Sequence, residues 1–382
     1  MSLHELTGEQ REVRELARRF ADEVVAPRAA GWDRDRRFPR DVLAQLGELG
    51  LLGVCVPAEL AGVGADFTSY VLALEQIARA DAGLGTTLAV HTGAGTMPIV
   101  AHGTPAQAQR LVPPLAQGFE IAAFALTEPE AGSDAGAMRT RAEPDGERAL
   151  LTGSKQWVTN GSYADTIVVF ARDGAADGRP GAFLVRRGAV GMSATREEGK
   201  LGQHSSDTAG LSFDGTPAER LGEPGAGMRI ALSTLDGGRI AIAAQATGIA
   251  QAALDLAAGY ARERRAFGRP IAAFGAIQQK LADMQTEVEA ARALTLRAAR
   301  LKSAGLPHTV EGAQAKLFAS RVARHWTGEA IQVLGGYGYT SDFPAERYYR
   351  DAKVTEIYEG TSEIQRLVIA RALLGDAARE GV

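Results

Sequence analysis

The periodicity of the apolar residues changes twice along the chain, and that order limits the possible architectures more than any single motif. Up to about residue 121 the spacing is helical. Thr7 and Gln10 are placed as a capping box, in which each side chain satisfies a free backbone N–H at a helix start. Val13, Leu16, Ala17, Phe20 and Val24 then share one helical face, and Pro27 is expected to stop the helix. Thr104, Pro105 and Gln107 mark another start, because proline suits a first turn whose N–H has no partner anyway. Between about 122 and 228, short β-branched and aromatic runs ("IAAFAL", "TIVVF", "GAFLV") alternate with Gly, Asp, Pro and Ser, which predicts a small antiparallel sheet or barrel. From 229 longer helices return. Ile277, Leu281, Met284, Val288, Ala291, Leu294, Ala298 and Leu301 keep the four-three spacing of a bundle seam. The expected fold is mainly α with a β domain: an N-terminal helical domain (1–121), a middle antiparallel β-barrel-like domain (122–228) and a C-terminal four-helix bundle (229–382).

A length of 382 residues suits two or three such units. The formal net charge of -4 gives no reason to expect nucleic acid or an acidic membrane surface as partner. The apolar segment "RIAIAAQATGIAQAALDLAAGY" is interrupted by Arg239, Gln245, Gln251 and Asp255, so it reads as a core helix and not a membrane span. No stretch reads as a signal peptide, and a cytoplasmic location is expected. Cys55, the single cysteine, lies in "LLGVCVP", which argues for a buried, inert thiol and against a disulfide or thiolate metal site. The dinucleotide glycine fingerprint, the phosphate loop and the serine nucleophile elbow are missing, and the six histidines have no metal-ligand spacing. Nicotinamide, P-loop, zinc and serine-hydrolase chemistries therefore lose ground.

Several other stretches carry more. "FALTEPEAGSD" (Phe124 to Asp134) has the small and hydroxyl residues that let a flat ring approach backbone N–H groups, although alone it reads as a turn between strands. In "KQWVTNG" (Lys155 to Gly161) the tryptophan, taken alone, is a core aromatic. "RERR" (Arg262 to Arg265) is by itself a solvated helix face. Asp236 and Arg239, three apart, read equally well as an intrahelical pair and as substrate contacts. "QVLGGYGY" (Gln332 to Tyr339) and "IYEGTSE" (Ile357 to Glu363) complete the set, and an isolated Glu-Gly-Thr seldom marks catalysis.

In order, spacing and wording these stretches resemble the flavin-dependent acyl-CoA dehydrogenases over essentially the whole chain, and look closest to the short-chain, butyryl-CoA type. The resemblance implies FAD as cofactor. Phe124, Leu126, Thr127, Gly132 and Ser133 would line one side of the flavin, and Trp157, Val158 and Thr159 the other. Arg264 (the Arg of Arg-x-x-Phe-Gly, in preference to Arg265), Phe267 and Gln278 would bind pyrophosphate and adenosine across a subunit interface, completed by Gln332, Val333, Gly335 and Gly336. A guanidinium fork suits such a phosphate. Thr361 and Glu363 match further FAD positions. Ser133, Asp236, Arg239, Tyr358 and Gly360 would meet the acyl-CoA. A homotetramer, a dimer of dimers, and an electron-transfer flavoprotein as electron acceptor are implied as well.

The resemblance assigns Glu359 as the base that takes the α-proton of an acyl thioester while hydride leaves the β-carbon for the flavin. A surface glutamate, with a pKa of about 4.3, is a weak base. Enclosure against an acyl chain and a flavin raises its proton affinity. The developing enolate oxygen also needs fixed donors. In relatives these are the base's own backbone N–H and a ribityl hydroxyl. Gly360 lets the backbone turn to present that N–H, and Thr361 starts the following helix. Isovaleryl-CoA dehydrogenases carry the base just before the helix arginine; here that position is Gly238, which cannot serve. One departure is the join "FDGTPAERLGEPGAG", which lacks the family's Val-x-Val-Pro and is a few residues short, leaving the β-to-helix connection open. The alternatives are an acyl-CoA oxidase, a biosynthetic dehydrogenase of carrier-protein-bound thioesters, and a non-catalytic, DNA-associated protein on the same fold. The acidic balance and Glu359 speak against the last.

Overall fold

Thr7 and Gln10 exchange the expected capping bonds (3.0 and 3.1 Å) at the start of α1 (Gly8–Phe20). The structure, a computed structural model, describes residues 6–197, 199–375 and 377. Pro27 does not stop this helix. The backbone widens into a π-helical turn at Ala21–Val25 and continues as α2 (Ala26–Asp35), with Pro27 in the first turn. The wider turn shifts the hydrogen-bond register just before the ring, so the missing N–H falls at a fresh helix start, where it costs little. Then follow α3 (Arg40–Glu48), α4 (Phe67–Ala80), α5 (Ala82–Leu88), α6 (Met97–His102) and α7 (Pro105–Ala116). The last of these has the expected Thr104–Gln107 capping box.

The strands are β1 (Ala122–Ala125), β2 (Arg141–Asp145), β3 (Arg148–Thr159), β4 (Thr166–Asp173), β5 (Pro180–Arg186), β6 (Met192–Arg196) and β7 (Thr208–Leu221). They pair in the order β1-β4-β2-β3-β7-β5. Because β5 also pairs with β4, the middle strands close on themselves, and β6 flanks β7. Most pairings are antiparallel as expected, but β1–β4 and β2–β4 are parallel. Neither pair is consecutive in sequence, so no hairpin forces the strands to reverse direction. The open join resolves into a glycine turn after Leu221: Gly222 and Gly225 have φ of +72° and +73°. The next helix starts at Gly227, where a Cβ would lie 2.4 Å from the Gly181 carbonyl carbon.

That helix is α8 (Gly227–Glu263). A short hairpin of β8 (Arg265–Ala266) and β9 (Arg269–Pro270) leads to α9 (Gly275–Ser303), α10 (Thr309–Leu334), α11 (Ala345–Lys353) and α12 (Ser362–Leu374). α8, α9 and α10 pack on one another and α12 lies on α10, giving the four-helix bundle. The predicted α9 seam faces inward: Met284, Val288, Ala291 and Ala298 are buried, with Ile277, Leu281 and Leu294 packed beside them. One core joins the first and last helical segments, running from Trp32 and Leu74 to Ala243 and Val322, while the barrel keeps its own around Leu151, Val169 and Phe183. Among the described residues α8 is the one helix long and apolar enough to cross a membrane. Its most apolar window is 83% buried inside the protein, which makes it a core helix. Cys55 packs on the same core, and burial pushes its thiol up to about 12.

Candidate active site

Glu359 sits between a 3-10 turn (Val354–Glu356) and α12, whose N-cap Thr361 accepts from the Ile364 N–H at 3.3 Å. The turn is left-handed at two successive residues, with φ of +54° at Glu359 and +87° at Gly360. Such backbone costs a non-glycine residue about 1–2 kcal/mol, so it persists only where the surroundings hold it. Here Lys316 Nζ donates to the Gly360 carbonyl (2.7 Å). Gln365 Nε2 donates to the same oxygen (2.8 Å) and to the Glu359 carbonyl (3.2 Å). A Cβ at Gly360 would meet that amide nitrogen at 2.7 Å.

The carboxyl of Glu359 lies against α8, where a Cβ on Gly238 would fall 2.4 Å from Oε2. Oε2 is out of solvent and has no hydrogen-bond partner among the described residues. Burial pushes the group up to about 7, against the opposing pull of Lys316 and then Arg239. Among the described residues nothing accepts from the Glu359 backbone N–H. A proton acceptor of raised affinity thus shares one residue with a free donor.

The neighbouring expectations divide. Asp236 and Arg239 form the intrahelical pair (2.6 Å), with Thr309 also donating to Asp236 (2.7 Å); Arg239 is buried and its Nε lacks a partner among the described residues. The Tyr358 hydroxyl is fully engaged by Gln245, Gln203 and Thr86, and burial pushes the phenol up to about 12. Any contact of Tyr358 with a substrate therefore falls to its backbone. Glu363 is exposed in the first turn of α12.

The "TEPEAGSD" and "KQWVT" stretches are locked together. Lys155, fully buried, donates to the Leu126 carbonyl (2.9 Å) and to Glu128 (2.7 Å), whose carboxylate also accepts from the Arg139 and Thr140 N–H groups. Burial raises the Glu128 carboxyl, but Lys155, Thr140 and Arg139 outweigh it and hold the group below its usual value. The Gln156 N–H bonds the Thr127 carbonyl (2.8 Å). Trp157 is no core aromatic: it is 59% exposed at φ +61°. Gly132 and Ser133 are exposed, Thr127 and Thr159 half-buried, Leu126 and Val158 buried, and Phe124 leans on Phe170 with ring centroids 4.9 Å apart.

A third cluster lines a cavity of about 580 Å³ bounded by Tyr260, Arg264, Val333, Gly335, Gly336 and Tyr337. The Arg264 guanidinium lies 5.8 Å from the Tyr337 ring centroid, whereas Arg265 turns back to the Gly268 carbonyl (2.8 Å). Phe267 is 93% exposed at φ +50°; Gln278 and Gln332 are exposed, Val333 is buried, and neither Gly335 nor Gly336 has anything within 4 Å of where a Cβ would stand. Eight non-glycine described residues adopt positive φ, and Trp157, Phe267 and Glu359 are three of them. Among the described residues no hydrogen bond or ion pair links the three clusters.

Sequence reasoning missed Lys155, Lys316 and Gln365. For Lys316 a signal existed: it stands on the small-residue stripe Gly312, Ala315, Ala319 and Ala323 that α10 buries.

Sequence models of the acyl-CoA dehydrogenase N-terminal, middle and C-terminal domains match residues 7–119, 123–216 and 225–374. The mitochondrial short-chain specific acyl-CoA dehydrogenase of Bos taurus is 48% identical over 97% of this chain and 91% of its own. Butyryl-CoA dehydrogenase from Megasphaera elsdenii is 41% identical with a TM-score of 0.94, over 97% of this chain and 99% of that one. A chain solved in work on the electron transferring flavoprotein of Acidaminococcus fermentans is 44% identical with a TM-score of 0.96, over 98% and 100%. The chain belongs to the acyl-CoA dehydrogenase family and is a FAD-dependent oxidoreductase of acyl-CoA.

Proposed function

We propose that Glu359 is the base in the α,β-dehydrogenation of a short or medium, straight-chain acyl-CoA to the trans-2-enoyl-CoA, with the short end favoured. The observation that carries this reading is the enclosed, unpartnered Oε2 of Glu359 with proton affinity raised to about 7. A base poised near the working pH can take a proton in one state and release it in the next. The free N–H of the same residue is a fixed donor for negative charge on the thioester oxygen. Gly238 supplies the space the carboxyl occupies, and its burial removes hydration that would otherwise lower its basicity. The names of the Bos taurus and Megasphaera elsdenii relatives motivate the short, straight chain.

The residues fit FAD. Open glycine backbone at Gly335 and Gly336, the Arg264 charge and the Tyr337 ring suit a diphosphate joined to an aromatic base, and the exposed Trp157 ring and the open backbone at Gly132 suit a flat ring. Thr127, Ser133, Trp157 and Thr159 would hold the flavin end; Arg264, Phe267, Gln278 and Gln332 the other; Thr361 and Glu363 would complete the site. When bound, FAD supplies the acceptor for the hydrogen that leaves the β-carbon as hydride. Ser133, Asp236, Arg239, Gly360 and the Tyr358 backbone would orient the thioester and its chain.

The reading extends to three domains (1–121, 122–228, 229–382), a cytoplasmic homotetramer, and an electron-transfer flavoprotein as acceptor. The exposed Phe267, Tyr339, Leu373 and Leu374 support self-association, since apolar side chains of that size are costly in water. The match to a chain solved in work on the electron transferring flavoprotein of Acidaminococcus fermentans motivates the acceptor. The deciding experiment adds a ladder of straight and branched acyl-CoAs to the purified yellow protein without oxygen. Fastest bleaching by a short straight chain supports the reading; bleaching by none of them overturns it. Peroxide release under air, compared with reduction of an electron-transfer flavoprotein, distinguishes a dehydrogenase from an oxidase.

A further inference from the structure

The left-handed turn at Glu359–Gly360 is held from outside, and by two side chains whose burial needs a reason. Lys316 has no exposed surface at all, and a lysine is seldom placed in a helix core. Its neighbours on the buried stripe of α10 are Gly312, Ala315, Ala319 and Ala323, so an alanine there would pack without any charge to desolvate. Among the described residues its ammonium makes one hydrogen bond, to the Gly360 carbonyl (2.7 Å). Gln365, also fully buried, reaches back past the start of α12 to the Glu359 and Gly360 carbonyls, and its own Oε1 has no partner among the described residues. Two buried donors converge on two adjacent carbonyls, while the N–H of Glu359 has no partner among the described residues.

We propose that Lys316 and Gln365 are positioning residues for Glu359: together they lock the left-handed turn that presents its carboxyl and its N–H, and the Lys316 ammonium favours the ionised carboxyl. The inference rests on the assignment of Glu359 as the base. The charged and titratable groups around that carboxyl are few. Arg239 faces it from α8, Lys316 from α10, and the Tyr70 and Tyr358 hydroxyls lie within electrostatic reach. Lys316 itself faces Glu356 and Glu363 besides Glu359, with Arg239 opposing. Burial lowers its ammonium to about 8, which leaves it charged at neutral pH. Arg239 is already paired with Asp236, whereas Lys316 makes no ion-pair contact among the described residues. Two effects follow from one lysine, the fixed backbone and the local positive charge, and they can be separated.

The experiment compares Lys316→Met, Lys316→Gln and Gln365→Leu with the parent, each loaded with FAD. Flavin content and thermal unfolding are recorded, then the pH dependence of anaerobic flavin bleaching by butyryl-CoA, and the flavin spectral change on binding the 2-enoyl-CoA product. Both Lys316 variants lose the cation, so the acid limb of the bleaching profile moves to higher pH by roughly one pH unit. Lys316→Gln keeps a neutral N–H donor, one atom shorter, and gives this result even should Lys316→Met fail to fold. Gln365→Leu removes no charge: its limb stays in place, while product binding and bleaching weaken about tenfold. A limb at the parental pH in Lys316→Gln, or parental binding and bleaching in Gln365→Leu, overturns the proposal. Full bleaching in Glu359→Gln would instead remove the base assignment, which is a separate failure.

Discussion

Gly238 and Glu359 are complementary surfaces: the carboxyl oxygen Oε2 occupies the space that a side chain on Gly238 would take, 2.4 Å from the ideal Cβ position. The residue that cannot carry a base is the one that makes room for it. Gly238 on α8 and Glu359 in the turn before α12 are more than a hundred residues apart in sequence, yet each is shaped by the other.

Gly238→Ala therefore displaces the carboxyl without touching its chemistry. The added methyl cannot be accommodated by moving backbone inside a packed helix, so Glu359 must swing away. Bleaching by butyryl-CoA is expected to slow by about 10²-fold with FAD still bound. Unchanged single-turnover rates in this variant would show that the carboxyl has freedom to move.

Glu359→Gln keeps the shape and removes the proton acceptor. The variant is expected to purify yellow and to bind acyl-CoA, with reduction slowed by about 10²–10⁴-fold, the usual worth of a positioned base. Stopped-flow bleaching without oxygen measures this directly.

The same substitution reports the cost of burying the charge. Burial raises the folded-state carboxyl from 4.5 to about 7. Between those values the native protein holds a proton that the unfolded chain has released, so the parent loses stability as pH rises through the window and no more above it. Glu359→Gln lacks this loss. At about pH 8 the FAD-bound variant is expected to be more stable by on the order of 2 kcal/mol, a gap that closes toward about pH 5. Thermal unfolding across that range tests both sign and window; a gap independent of pH contradicts the raised proton affinity.

Lys155→Met strands Glu128 without its cation in the barrel interior and frees the Leu126 carbonyl. Removing one partner of a buried pair costs about 3–5 kcal/mol. Because the pair ties the Thr127 loop to the strand that carries Trp157, flavin retention on gel filtration should fall along with the denaturation midpoint. A drop in stability with FAD held as tightly as in the parent would separate the pair from the cofactor site.

Arg264→Ala and Arg265→Ala distinguish two adjacent guanidinium groups. Arg264 lines the glycine cavity, while Arg265 closes the β8–β9 hairpin through Gly268. Loss of a charge-assisted phosphate contact should weaken FAD binding by about 10–100-fold in the first variant and little in the second. Fluorescence titration of the apoprotein with FAD reads the difference, and equal weakening in both would reject the assignment of Arg264.

By itself the sequence determined whatever depends on near neighbours. The Thr7–Gln10 and Thr104–Gln107 caps, the α9 seam and the alternation of strands are set within a few residues, and so could be read before any fold was known. The wording around Glu359 and Arg264 likewise carried the family and its cofactor. Only tertiary structure decided how Pro27 is absorbed by a π-helical turn, why two strand pairs run parallel, and that Trp157 stands in solvent with a left-handed backbone. It alone placed Lys316 beneath Gly360 and Gly238 against Glu359. The physical reason is that proton affinity and backbone strain are set by whatever packs around a group. For Glu359 that surrounding comes from α8, α10 and α12, which meet only after the chain has folded.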